Sequence, residues 1–254
     1  MSSSGKKGGR GQGADRRLSK RVKSARGRKT SSTLWLQRQL NDPYVAEAKR
    51  LGYRSRAAFK IIELDEKFRL LKPGMQPRQR IVDLGAAPGG WTQICIERLQ
   101  GKNASDENPV VGMDLQAIDP MPGAIFIQHD FMADDAPELL NQALDGPADL
   151  VLSDMSPATT GHKSTDHLRI MALSETAAQF AVEVLAPNGV FVAKVFQGGA
   201  ENDLLNMLKR NFRTVRHYKP PSSRSESAET YVIAQGFKGR TKDDMDDGAD
   251  EGDV

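Results

Sequence analysis

Along residues 81–237, short apolar runs that end in an acid or a turn alternate with longer stretches whose apolar positions recur every three or four residues. Ile81-Val-Asp-Leu84 is the first run. It breaks into a loop holding Gly85, Gly89 and Gly90, then resumes as Trp91-Thr-Gln-Ile-Cys-Ile-Glu-Arg-Leu99 at helical spacing. That order predicts a strand, a tight turn and a helix N-terminus. Further strands are predicted over residues 110–114, 124–130, from 148 into a loop holding Asp154 and Pro157, and over 189–196, 213–219 and 230–237. Helices are predicted between them over 137–144, 166–185 and 201–212, the second with apolar positions at Leu168, Met171, Ala172, Ala178 and Val182. Upstream, residues 53–71 read as an amphipathic helix, with Ser55 as candidate N-cap, Phe59, Ile62 and Phe68 on an inner face, and Pro73-Gly74 as the stop.

Alternating strands and helices with short connections predict an α/β fold, a mostly parallel sheet with helices on both faces. The last two strands follow each other without a helix, which predicts an antiparallel pair at the sheet edge.

The glycine loop is not a phosphate cradle. It has neither the G-x-x-x-x-G-K-[ST] nor the G-x-G-x-x-G spacing, and no lysine follows Gly90. Glycine lets the backbone approach a ligand closely and adopt positive φ, and Pro88 stiffens the turn. A nucleoside without a phosphate fits, and S-adenosylmethionine is the obvious cofactor of that kind. Asp83, Asp114, Asp130 and Asp154 fall at or near strand ends, where open α/β sheets bind ligands. Four acids suit a ligand rich in hydroxyl, amino and ammonium donors. Asp114, 24 residues past the loop, stands where ribose hydroxyls are bound in nucleotide folds. Lys194 is the single charge in an apolar strand and calls for a nearby acid. Lys60, in the amphipathic helix, has by itself no such demand.

Charge changes the picture mainly at the ends. The net charge of +3 over 254 residues divides into +10 on residues 1–30, −5 on residues 240–254 and −2 on the remainder. The expected organisation is a disordered basic tail (1–30), one domain (31–239) and a disordered acidic tail (240–254). A basic arm neutralises phosphates, so nucleic-acid contact is expected of it. Trp35, Arg38, Tyr44, Lys49 and Arg50 could stack on bases and meet phosphates, or pack on the domain edge. The single cysteine, Cys95, excludes an intrachain disulfide framework or a zinc cluster and reads as a core residue. No apolar run is long enough to span a bilayer, and a cytoplasmic monomer is expected.

Five stretches together resemble one family: Tyr53-Arg-Ser-Arg-Ala-Ala-Phe-Lys60, Val82-Asp-Leu-Gly-Ala-Ala-Pro-Gly-Gly-Trp91, Leu152-Ser-Asp-Met-Ser-Pro157, Phe191-Val-Ala-Lys-Val-Phe-Gln197 and Pro221-Ser-Ser-Arg-Ser-Glu-Ser-Ala-Glu-Thr-Tyr-Val232. In kind and order they resemble the FtsJ/RrmJ family of RNA ribose 2′-O-methyltransferases, over about residues 33–238. The resemblance implies a Rossmann-like methyltransferase sheet, S-adenosylmethionine as cofactor, and a uridine of 23S ribosomal RNA in the large subunit as substrate, with no metal. It implies a catalytic tetrad at Lys60, Asp154, Lys194 and Glu229, with Glu226 a weaker candidate for the last place. Cofactor contacts are implied at Gly89, Trp91, Asp114, Asp130 and Asp154. The long basic arm and the acidic tail exceed the family pattern. Two other readings remain at this stage: a methyltransferase for transfer RNA or another RNA, and a non-catalytic ribosome-assembly factor that binds RNA.

Overall fold

The computed structural model describes residues 36–37, 39–75, 77–100, 110–157, 161–196 and 202–239. The two charged termini, Trp35 and Arg38 lie outside the described residues. The chain divides into two units, Met1–Ala46 and Glu47–Val254. In the first, Asp42 Oδ1 accepts a 3.0 Å hydrogen bond from the Tyr44 backbone at the start of α1 (Pro43–Leu51). In the second, the helix ends in Lys49 and Arg50, and the Arg50 guanidinium lies 2.6 Å from Glu47.

The rest of the second unit runs α2 (Ala58–Phe68), β1 (Ile81–Leu84), α3 (Gly90–Gln100), β2 (Val110–Asp114), β3 (Ala124–Gln128), α4 (Ala136–Leu144), β4 (Ala148–Ser153), α5 (Lys163–Val184), β5 (Leu185–Phe196), α6 (Asn202–Asn211), β6 (Phe212–Tyr218) and β7 (Glu229–Phe237). Seven strands form one sheet in the order β3-β2-β1-β4-β5-β7-β6. β1 to β5 pair in parallel, and β7 runs antiparallel to both β5 and β6. The expected α/β sheet with its reversal confined to the edge pair is therefore what forms. Within that pair β7, the later strand, is inserted between β5 and β6.

Strand side chains alternate between two cores. Val82, Leu84, Phe191, Ala193, Val232 and Ala234 face one core, which includes residues of α4, α5 and α6. Ile81, Val190, Val192, Tyr231 and Ile233 face the other, under α2 and α3. Cys95 is fully buried in this second core. By the same alternation Asp83, Lys194 and Glu229 point to the α2–α3 side.

Three readings of individual side chains are corrected. Ser55 does not cap α2. The residue at the cap position is Ala57, which makes no side-chain capping bond, and Ser55 Oγ instead lies against Gly90, where an added Cβ would come within 2.4 Å of it. Because the helix starts at Ala58, its buried stripe is Ala58, Ile61, Leu64 and Phe68, while Phe59 and Ile62 are only partly covered. In α5, Met171 and Ala178 are buried as expected, but Leu168 is 62 % exposed: it lies on the outward face with Ala172 and Gln179, opposite the buried Ile170, Ser174 and Ala181.

The chain winds outward from β1 to β3, then returns to begin again at β4 on the other side of β1, so β1 and β4 flank the point where strand order reverses. Gly85 follows β1 with φ +76°, and a Cβ there would lie 2.8 Å from the Met155 Cα, in the loop after β4. Gly85→Ala carries both the left-handed strain of a non-glycine residue and this clash. It should lower stability by at least about 2 kcal/mol, read as a fall in the urea midpoint with an unchanged slope.

Candidate active site

Four of the sequence-predicted residues meet on the α2–α3 side of the sheet, at the carboxyl ends of β4 and β5. Lys194 comes from β5, Glu229 from the start of β7, Asp154 from the first position after β4, and Lys60 from the first turn of α2. Lys194 Nζ donates to the Asp154 backbone oxygen at 2.6 Å and to its Oδ1 at 3.2 Å. Lys60 Nζ lies 2.9 Å from Glu229 Oε1, 3.0 Å from its Oε2 and 3.5 Å from Asp154 Oδ1. Ser223 Oγ donates to Glu229 Oε1 at 2.8 Å. Glu226, the weaker candidate, is exposed and accepts from Ser225 instead.

Tyr231 completes this cluster, and sequence reasoning missed it. Its hydroxyl donates to Asp154 Oδ1 at 2.6 Å and accepts from Lys60 Nζ at 2.9 Å. The signal was its position two residues after Glu229, which puts both on one face of a strand. Register then sets Tyr231 opposite Lys194 and Glu229 opposite Phe196.

The electrostatics follow from burial. Desolvation alone would raise the Asp154 carboxyl, but the Lys194 and Lys60 ammonium groups and the Tyr231 hydroxyl outweigh it and hold the pKa down at about 2. Burial drags Lys60 toward its neutral form, yet the Asp154 and Glu229 charges prevail and raise it. Burial first, then the Asp154 charge, lifts the Tyr231 phenol well above its ordinary value, so it remains a donor at neutral pH. Asp83 behaves in the opposite way to Asp154. It is fully buried, its Oδ2 accepts from Thr92 Oγ1 at 2.7 Å, and its Oδ1 has no partner among the described residues. Desolvation, with the Asp154 and Asp114 charges adding to it, raises it to about 7 against the opposing Thr92 bond. Asp83 thus faces inward and braces the loop from beneath, through Thr92 of α3.

A cavity of about 450 Å³ opens on the other side of the same strand ends. Met113, Leu115, Phe131 and Met132 give it an apolar wall, Asp114 and Asp130 line it, and Met155, Ser156 and Pro157 form the side nearest Asp154. Asp114 accepts from the backbones of Ala87 (Oδ2, 2.9 Å) and Gln116 (Oδ1, 2.9 Å). Those two bonds leave further lone pairs on the carboxylate. Asp130 Oδ1 accepts from the Met132 backbone at 2.9 Å. His129, which lies 2.8 Å from Asp135, and Arg169 of α5 also line the cavity, and nothing in the sequence pattern marked either. Gly89 and Trp91 do not line it. Gly89 has φ +99° in the loop entering α3, and the Trp91 side chain is buried, its Nε1 donating to the Ala57 oxygen at 2.8 Å. A larger groove, about 580 Å³, lies between α5 and α6, away from these strand ends.

A doubly wound sheet with a ligand-sized cavity at the strand-order reversal, beside a buried Lys-Asp-Lys-Glu cluster, defines a Rossmann-like methyltransferase. Residues 53–237 match the family model described as FtsJ-like methyltransferase, and the chain belongs to that family. It is 64 % identical over 230 residues to a ribosomal RNA large subunit methyltransferase E of Paramagnetospirillum magneticum, covering 91 % of this chain and 93 % of that one. It is 56 % identical over 256 residues to the protein of the same name from Parvibaculum lavamentivorans, covering 97 % and 99 %. A solved structure described as a ribosomal RNA methyltransferase, from Plasmodium falciparum, superposes with a TM-score of 0.64 at 33 % identity, covering 74 % of this chain and 100 % of that one.

Asp83 makes a testable contribution to stability. Its folded pKa, about 7, lies above its unfolded value of about 3.9, so the folded state holds a proton that the unfolded state has lost between those limits. Its contribution to stability therefore falls as pH rises from about 4 to about 7. Asp83→Asn removes this dependence. The difference in unfolding free energy between variant and parent, from urea titrations, should move in the variant's favour by about 2–3 kcal/mol from pH 5 to pH 8. A difference independent of pH would show that Asp83 ionises normally.

Proposed function

We propose that this protein transfers a methyl group from S-adenosylmethionine to the ribose 2′-hydroxyl of a uridine in 23S ribosomal RNA of the large subunit. The observation that carries the reading is the buried cluster of Lys60, Asp154, Lys194 and Glu229, set against the cavity through the 154–157 loop. The names of the high-identity relatives support ribosomal RNA as the acceptor.

The cavity suits the cofactor. Its apolar wall accommodates a purine, and Asp114 and Asp130 offer acceptors for ribose hydroxyls and amino groups. We assign cofactor contacts to Asp114 and Asp130 in the cavity and to Asp154 beside it, and to the Gly89 and Trp91 backbone where the ligand extends beyond the cavity to the entrance of α3. Bound there, S-adenosylmethionine supplies an electrophilic methyl group on a sulfonium.

The chain's own residues then have to hold a ribose hydroxyl in line with that methyl, a contribution of position. Asp154, held at about 2, is too weak a base to deprotonate an alcohol, so it orients. Its carboxylate and backbone oxygen fix Lys194 Nζ, and we assign Lys194 to the 2′-hydroxyl, directing its lone pair along the line of attack. As the oxygen–methyl bond forms and the sulfur–methyl bond breaks, the hydroxyl proton passes to water and the cofactor leaves as the neutral thioether. Lys60, raised by its two acids, serves as a fixed donor to a ribose or phosphate oxygen. Glu229 and Tyr231 keep Lys60 in place. The basic residues 1–30 add sequence-independent affinity for the RNA phosphates, and the reaction takes place in the cytoplasm, where ribosomal subunits are assembled.

Lys194→Ala should lower the rate of methyl transfer at least about 100-fold while calorimetry still registers S-adenosylmethionine binding. Transfer of labelled methyl is measured to unmodified large ribosomal subunits, free ribosomal RNA and transfer RNA. Label on subunits or ribosomal RNA, lost in the variant, supports the assignment. Label confined to transfer RNA overturns the substrate, and full activity of the variant overturns the role of Lys194.

A further inference from the structure

Strand β6 ends the sheet, and Arg213, Thr214, Arg216 and His217 along it are exposed. Tyr218 pairs in register with Tyr231, and Arg216 with Ile233. Tyr218 and Arg216 therefore occupy the sheet face that carries the Lys-Asp-Lys-Glu cluster. On that face Lys67, from the last turn of α2, holds its ammonium group 4.4 Å from the Tyr218 ring centroid. The same ring is fixed edge-on against Phe68, at 5.6 Å. Lys219 ties the strand back toward the cluster: its Nζ donates to Ser225 and Ser227 backbone oxygens at 3.2 and 2.6 Å, and Ser227 Oγ accepts from the Glu229 backbone. Lys67, Arg216 and Lys219 thus form a cationic strip that begins one strand away from Glu229 and runs down the sheet edge. Neither Lys67 nor Arg216 forms an ion pair among the described residues.

Charge on an edge strand discourages pairing with other strands. That accounts for Arg216 but not for Lys67, which belongs to a helix and is seated on an aromatic ring. A cation fixed on such a ring gives up less side-chain freedom when it meets an anion. We infer that Lys67 and Arg216 contact phosphates of the RNA strand flanking the methylated nucleotide, so that the substrate leaves the site over the β6 edge. The inference rests on the RNA-methylating reading above and adds to it the direction of the substrate strand.

The test uses the full chain and a fluorescent single-stranded RNA of about 20 nucleotides centred on a uridine, with anisotropy measured over a range of salt concentrations. Each phosphate contact to a single strand contributes about 0.7 to the slope of log affinity against log salt. Lys67→Ala combined with Arg216→Ala should therefore reduce the slope by about 1.4. Lys67→Glu with Arg216→Glu should weaken binding at least about 10-fold near 0.1 M salt, as expected when two contacts become repulsions. Calorimetric affinity for S-adenosylmethionine should be unchanged in both. Lys72→Glu with Lys209→Glu, an equal charge change elsewhere, should have little effect. An unchanged slope in the alanine pair, or an equal loss in the Lys72/Lys209 control, overturns the strip while leaving methylation of RNA intact. Failure of the parent chain to bind or methylate RNA overturns both readings together.

Discussion

A buried carboxylate governs this end of the molecule. Asp154 sits just past the tip of a central strand, where little water reaches it, and a bare charge in such a place is costly. Lys194, Lys60 and Tyr231 meet that demand from three separate elements, β5, α2 and β7. The partners have partners in turn: Asp154 and Glu229 together raise Lys60 against the effect of burial, and Glu229 is held by Ser223. Removing any one charge leaves another buried and uncompensated, a loss of about 3–5 kcal/mol for such pairs. The cluster is therefore a constraint on the fold as well as a piece of chemistry. It fixes where α2 and β7 meet the sheet.

Asp83 and Asp154 show how much environment decides. Both acids lie at or near the ends of adjacent strands, Asp83 fully buried and Asp154 with only 16 % of its side chain exposed. One is surrounded by cations and a phenol and stays ionised well below the usual range. The other has Thr92 as its hydrogen-bonding neighbour and no cation beside it to offset burial, and titrates near neutrality. The sequence offers no hint of this division, since each residue simply follows an apolar run.

What could be read in the chain was whatever leaves a mark in one dimension. The glycine loop, the lone charge of Lys194 in an apolar strand, and the acids at strand ends are such marks, and with the family resemblance they led to the residues that the fold brings together. Lys60 carried no mark of its own, because its partners lie 94 and 169 residues away. Tyr231 was hidden for a different reason: an aromatic in a strand reads as core, and most of its ring is core. Ser55 looked like a cap because serine before an apolar helix usually is one, yet the close approach of Gly90 claims its space. Leu168 is apolar but belongs to the outward face of α5, which it shares with Ala172. His129 and Arg169 are single polar residues in unremarkable contexts, placed at the cavity only by the folded chain.

The loop after β4 serves two sides at once. Asp154 faces the cationic cluster, and the next three residues wall the cavity. Met155 is at the same time wedged against Gly85, so that not even a methyl group fits between them. The short segment that separates the two chambers has little room to shift toward either. Whatever alignment it imposes is settled once, when the chain folds, and is not renegotiated at each turnover. The site then works as a fixed jig, in which the occupants adjust to the protein and each catalytic cycle begins from the same geometry as the last.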